Sequence, residues 1–177
     1  MGDVKDYEFE KLVIGIMYTD EKIYIKALND LTEIYGETER ISSEYSFSDF
    51  SIFYEKEMHS KVLKRLVSFK ILVDPSRISE IKLKTNEIEK SYTSQYGRNV
   101  NLDPCLLSHG KFVMATTKGA SFRVPHEKGI YTDLSLVYAR KHWVDFFWTY
   151  FDIKSEFVKD YLIEVRNDYL KQRTGYM

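Results

Sequence analysis

A single cysteine, Cys105, among 177 residues leaves the chain no internal disulfide and no C-x-x-C metal site. Neither sign of charge is in excess: 26 basic residues meet 27 acidic ones, for a net charge of −1. The signs interleave, as in KDYEFEK and EIKLKTNEIEK, so the basic stripe of a general DNA or RNA coat is missing and nucleic acid is not an expected partner. No apolar run reaches the roughly 20 residues that cross a bilayer, and no membrane partner is expected. The opening MGDVKDYEFEK is acidic and lacks an apolar stretch, so it does not read as a signal peptide. Gly2 is followed by Asp3 without the Ser or Thr of a myristoylation motif. Three prolines and eight glycines leave no low-complexity linker. These absences set the expectation of a soluble cytoplasmic protein.

The familiar catalytic signatures are missing as well. There is no G-x-x-x-x-G-K-[ST], no G-x-G-x-x-G, no G-x-S-x-G and no H-E-x-x-H. His59, His109, His126 and His142 have no metal-ligand spacing, which argues against zinc. Cys105 and His109 are near in sequence, but a lone cysteine usually reads as a small buried hydrophobe.

What is present is a core-former. Apolar residues make up 44% and aromatic residues 15%, with 14 Tyr and 11 Phe against 2 Trp, enough to exclude disorder and to build one domain. Tyrosine's polar tip places some of these rings at a rim or interface. KLVIGIMYT, from Lys11 to Thr19, is the apolar, β-branched run of a buried strand. Asp20 caps a helix that carries Tyr24, Ala27, Leu28, Leu31, Ile34 and Tyr35 at helical spacing and closes at Gly36. Arg40 to Phe47 predicts a strand. Asp49 to Met58 predicts a strand or a loop. Leu63 to Val73 predicts a further strand. Asp74-Pro75 opens a helix running to about Gln95, with Ile78, Ile81, Thr85, Ile88 and Tyr92 inward. Arg98 to Leu102 predicts a short strand stopped by Asp103-Pro104.

The order strand, helix, strand, strand, helix, strand predicts an α+β chain, a ferredoxin-like βαββαβ sandwich over residues 8–104. Residues 105–177 form an extension packed on it. Lys111 to Thr117 is a strand or short helix. Ile130 to Tyr138 forms a hairpin with Phe122 to Pro125 or with Trp143 to Phe147. A last helix runs from Asp152 to about Gln172, with Val158, Tyr161, Leu162, Val165 and Tyr169 inward. Residues 1–177 read as one domain.

The polar residues that interrupt these apolar runs are the site candidates, because buried polar groups need partners or ligands. Lys82, Thr85, Asn86 and Glu89 share one helical stripe, a grip for a phosphate or a solvated face with an ion pair. Asn101 and Asp103 share a strand face, where they orient a ligand or bond their own turn. Thr116-Thr117-Lys118-Gly119 is a phosphate cradle or a polar turn after a strand. His126-Glu127-Lys128-Gly129 reads as a hairpin tip. Glu55 and Glu57, if on one strand face, would join Asp103 in a hard-cation site for magnesium.

VNLDP, K-x-V-x-A-T-T-K, KGIY and the WTY from Trp148 to Tyr150 together resemble an uncharacterised prokaryotic family, the DUF4416 domain. VIGIMYTDE, the Y-E-K-E-M from Tyr54 to Met58 and IK-x-x-TNEIE fit the same family, so the likeness runs from about Lys11 to Gln172. The resemblance implies no established activity. Some members carry a GTP-binding label, whose phosphate loop this chain lacks. Cys105 stands where the family usually has glycine, and Phe122 where it often has histidine, which removes the base of any mechanism needing that histidine.

The expected function is a small enzyme or binding protein for a phosphate-bearing or other anionic metabolite such as a nucleotide. Lys82, Asn86, Lys111, Lys118, Arg123 and Lys128 would hold charge, with Thr85, Asn101, Thr116, Thr117 and Tyr131 beside them. Asp103, with Glu89 or Glu55, would supply a base or a magnesium ligand, and Lys118 would assist catalysis. The alternative is a protein-interaction module or homodimer using an aromatic-rich, exposed sheet face.

Overall fold

The computed structural model describes residues 2–95 and 97–173. Met1, Tyr96 and residues 174–177, which belong to the single unit read from the sequence, lie outside the described residues. The chain runs β1 (Glu10–Tyr18), α1 (Glu21–Tyr35), β2 (Thr38–Ile41), β3 (Tyr45–Ser46), α2 (Phe53–Met58), β4 (Leu63–Val73), α3 (Ile78–Ser91), β5 (Thr93–Ser94), β6 (Gly97–Arg98), β7 (Val100–Leu107), β8 (Lys111–Thr116), β9 (Val124–Pro125), β10 (Tyr131–Ala139), β11 (His142–Asp145) and α4 (Glu156–Arg173). The main sheet has the order β11-β10-β8-β7-β1-β4-β2, and each neighbouring pair is antiparallel. Helix and antiparallel sheet in comparable measure make this an α+β chain.

All nine residues of β1 are buried, which requires cover on both sheet faces. Leu12, Ile14, Ile16 and Tyr18 meet Tyr24, Ala27 and Leu31 of α1 and Ile78, Ile81 and Ile88 of α3. Val13, on the opposite face, joins Leu66, Cys105 and Phe112 against Val158, Tyr161, Leu162, Val165 and Tyr169 of α4. The open aromatic face that an interaction module would use is therefore covered by α4, since an apolar face of that size has to be buried.

Two lysines lie inside this second layer. Lys11 is fully buried, and its ammonium donates to Phe69 O (3.1 Å), to Glu39 (2.7 Å) and to Gln172 near the end of α4. Burial pushes its pKa down, against Glu39, which holds it up. Lys64 crosses beneath Gly15, where a Cβ would stand 3.1 Å from its Cε. Its ammonium meets Asp152 at 2.6 Å, and Tyr45 donates to the same carboxylate oxygen at 2.9 Å. Burial lowers the Lys64 pKa, but the charge of Asp152, with Tyr45 and Asp103, outweighs it and raises the pKa above the ordinary lysine range. Lys64 stays charged.

Several expected elements shift for visible reasons. The strand from Arg40 to Phe47 is broken into β2 and β3, both paired to β4. The segment read as strand or loop is helical α2, because Tyr54 and Met58, four apart, pack on Phe47, Val62 and Met17. The helix expected to reach Gln95 ends at Ser91, and Thr93–Ser94 pairs with Gly97–Arg98 as β5 and β6. β7 does not stop at Asp103-Pro104. Pro104 lies opposite Ile14, one residue before β8 joins at Cys105, so that side is still an edge, where proline is tolerated. β10 pairs with β9 and with β11, so both hairpin options occur. α4 begins at Glu156, because Asp152 turns inward to Lys64 instead of capping the helix.

Removing Asp152 would leave a buried, unpaired ammonium. Asp152→Ala is expected to cost about 3–5 kcal/mol in urea unfolding at neutral pH. Lys64→Met with Asp152→Leu should recover most of it. A single-variant loss under about 1 kcal/mol would show that Lys64 is not held by this pair.

Candidate functional site

β7 and β8 pair only from Cys105–Leu107 to Phe112–Met114, and then they part. Continued, the register would set Asp103 opposite Thr116 and Asn101 opposite Lys118. Instead, a cavity of about 70 Å³ opens between the strands, lined by Asn101 and Asp103 on one side and Met114, Thr116, Thr117 and Lys118 on the other. Lys82, Asn86 and Glu89 of α3 roof it, and Tyr54, Arg98 and Tyr150 close it. A water needs roughly 10–15 Å³, so the cavity holds a small polar group, not a whole metabolite.

The parting leaves the Leu102 peptide without a strand partner on that side. Two side chains of α3 replace it. Glu89 Oε1 accepts the Leu102 N–H at 2.7 Å, and Lys82 Nζ donates to the Leu102 carbonyl at 2.7 Å. Glu89 Oε2 takes the Arg98 guanidinium at 2.8 Å, and Arg98 also pairs with Glu57 at 2.8 Å. Burial disfavours the Arg98 charge, yet Glu89 and Glu57 outweigh it and raise its pKa. Lys82 stands 3.7 Å from both Glu89 and Asp103. Asn101 Nδ2 donates to Asp103 Oδ2 at 2.9 Å. Burial, then the nearby Asp103 charge, pushes the hydroxyls of Tyr54 and Tyr150 above the usual tyrosine range, so both remain protonated. The same two causes raise the buried Cys105 thiol, which leaves it a poor nucleophile.

Lys118 differs from the other cations. Its ammonium has no carboxylate within ion-pair distance among the described residues, and it lies 5.0 Å from the Phe53 ring centre and 5.8 Å from that of Tyr54. Its backbone N–H donates to Thr116 Oγ1 at 3.2 Å. Arg123 fixes the loop behind it, donating to Lys118 O (2.7 Å), to Tyr150 Oη (3.2 Å) and to Asp133 (3.2 Å). The Asn86 amide and the Thr117 hydroxyl beside Lys118 have no hydrogen bond among the described residues.

Eight residues singled out from sequence therefore line one cavity: Lys82, Asn86, Glu89, Asn101, Asp103, Thr116, Thr117 and Lys118. Arg123 stands behind it, and Tyr131 packs under Gly119 in the same loop. Thr85 does not face the cavity. It is fully buried and donates to Lys82 O at 2.9 Å. Lys128 is exposed and 3.7 Å from Glu80, on the tip of the β9–β10 hairpin. Lys111 pairs with Glu10 at 2.8 Å in a separate groove of about 520 Å³. That groove is larger, but Glu8, Glu10 and Glu127 make it acidic, which disfavours an anion. Glu55 and Glu57 sit on helical α2, not on a strand face, and Glu57 is held by Arg98. No three His, Cys, Asp or Glu among the described residues are placed to share a metal ion.

Tyr54, Arg98, Met114 and Tyr150 line the cavity without having been picked from sequence. Tyr54 and Tyr150 belong to the Y-E-K-E-M and WTY motifs, which were the available signal. Glu89→Ala would strip the Leu102 N–H of its acceptor. It is expected to cost about 1–3 kcal/mol and to speed exchange of the Leu102 amide in hydrogen-exchange mass spectrometry. An unchanged Leu102 amide would contradict the capped strand edge.

No curated protein and no solved structure matches the chain. A family model described as "Domain of unknown function (DUF4416)" matches residues 8–169, nearly the whole chain and both sides of the β7–β8 gap. The chain belongs to the DUF4416 family.

Proposed function

We propose that the cleft at the β7–β8 gap receives the anionic group of a small phosphate-bearing or other anionic metabolite, with Lys118 meeting the charge. The observation that carries this reading is the imbalance of partners. Lys82 and Arg98 are committed to Leu102 and to glutamates, whereas the Lys118 ammonium has only ring faces beside it. Asn86 and Thr117 add an unpartnered amide and hydroxyl on the same side. A point charge flanked by such donors suits an oxyanion.

Roles within the cleft follow from what each group already holds. Glu89 spends both oxygens on Leu102 and Arg98, so it positions the strand edge rather than acting as a base. Asp103 keeps part of its carboxylate in the cavity and is the group placed to accept a proton or to hold magnesium brought in by a phosphate. The order β7-β1-β4-β2 supports reading a ferredoxin-like βαββαβ unit, its fourth strand being β7. On that reading the cleft forms where the extension is grafted onto the unit's edge.

Calorimetry with nucleotides, sugar phosphates and inorganic phosphate, with and without magnesium, tests the proposal. At least one phosphate-bearing probe should bind, and Lys118→Ala should weaken it by about 10-fold or more, the loss of one charge-assisted contact. Silence from every probe would remove the reading.

A further inference from the structure

We infer that Asp103 makes the β7–β8 cleft selective for an oxyanion that keeps a proton. That class covers hydrogen phosphate and the singly protonated form of a phosphate monoester, and it shuts out sulfate and sulfate esters. This rests on the proposed anion cleft and names the kind of anion the cleft takes.

The cleft is mixed in sign. Lys82, Arg98 and Lys118 line it together with Glu89 and Asp103. An anion that meets a carboxylate is repelled unless each carboxylate oxygen is already occupied or receives a proton from the ligand. Glu89 is occupied, with the Leu102 N–H on Oε1 and the Arg98 guanidinium on Oε2. Asp103 is not. Its Oδ2 accepts the Asn101 amide at 2.9 Å. Its Oδ1 accepts no hydrogen bond among the described residues, with Lys82 3.7 Å away and already donating to Leu102 O. The Asp103 side chain keeps 19% of its surface open. A gap of about 10 Å³ that it borders holds no more than one water, so a ligand group reaches its carboxylate from the cleft of about 70 Å³.

A carboxylate offers lone pairs and no donor. The other unspent groups of the cleft are donors: the Lys118 ammonium, the Asn86 amide and the Thr117 hydroxyl. One open acceptor among open donors complements an oxyanion with bare oxygens and one O–H. The cleft has room for a single such group, so the acceptor and the donors address the same ion. Inorganic phosphate retains a proton at neutral pH, and a phosphate monoester retains one below about pH 6. Sulfate and its esters have none to give, and would set a lone pair against Asp103 Oδ1. Shape does not separate the two ions, and attraction to Lys118 alone would favour the more highly charged sulfate. A preference for phosphate therefore requires an acceptor in the site.

Calorimetry on the full chain at about pH 6 compares two matched pairs, with divalent ions chelated so that no metal bridges Asp103 to the anion. One pair is inorganic phosphate and sulfate; the other is 4-nitrophenyl phosphate and 4-nitrophenyl sulfate. In whichever pair binds, the phosphorus compound should bind about 10-fold or more tighter. Asp103→Asn is nearly isosteric and can turn an N–H to the ion. It should shrink that ratio to about 2-fold or less, chiefly by strengthening sulfate. The ratio in the unaltered chain stands as a test even if that variant is unstable. Equal or tighter binding of the sulfur compound by the unaltered chain would overturn the role of Asp103 while the anion cleft stands. So would an undiminished ratio in Asp103→Asn. Silence from all four probes would overturn both readings together.

Discussion

The structure around the cleft depends on one backbone group, the peptide of Leu102. A strand inside a sheet needs partners on both edges, because an unmet buried N–H or carbonyl costs as much as a lost hydrogen bond. β7 has β1 on one side along its whole length, but β8 only from Cys105 onward. The gap persists because Glu89 and Lys82 reach from α3 and act as a substitute strand at Leu102. Two ionised groups in place of a neutral ladder bring charge to the sheet edge. Arg98, Asp103 and Asn101 then arrange themselves around that charge. The cleft is the space such an arrangement leaves open.

A second constraint comes from the buried lysines of the other layer. Lys11 and Lys64 each place a cation in an apolar core, and each is tied to a segment remote in sequence: Lys11 to Gln172 at the end of α4, Lys64 to Asp152 before its start. A buried ammonium deprived of a partner is costly, so the Lys64–Asp152 ion pair and the Lys11–Gln172 hydrogen bond fix where α4 lies on the sheet. With α4 fixed, Tyr150 to Asp152 line an aromatic cavity together with Tyr54 and Lys118. The layer that covers this sheet face also shapes the aromatic cavity beside the cleft.

The long elements were legible in the sequence because their pattern is one-dimensional. The β-branched run of β1, the Asp20 cap and the Val158-to-Tyr169 stripe of α4 each match what the structure holds. Elsewhere tertiary partners override the local signals. α2 is helical for the sake of Tyr54 and Met58, and β7 passes through Pro104 because its outer side is still unpaired there. The site candidates were legible as polar residues in apolar surroundings, and eight of them share a cavity. Spacing could not separate Thr85 from Lys82 and Asn86, because a hydroxyl that bonds its own helix looks the same in sequence as one facing a ligand. Nor could it reveal that Glu89 serves a backbone N–H, or that Lys111 and Lys128 lie with other carboxylates elsewhere.

On the proposed function, the β7–β8 gap, rather than the larger acidic groove at Lys111, receives the anion. Amide chemical-shift mapping of the labelled chain during titration with a ribose or nucleoside phosphate tests it most directly. Perturbations centred on Asn86, Thr117 and Lys118, with Lys111 and His126 unmoved, are the expected result. Perturbations gathered around Lys111, Ser76 and His126, or none at saturating ligand, would contradict it.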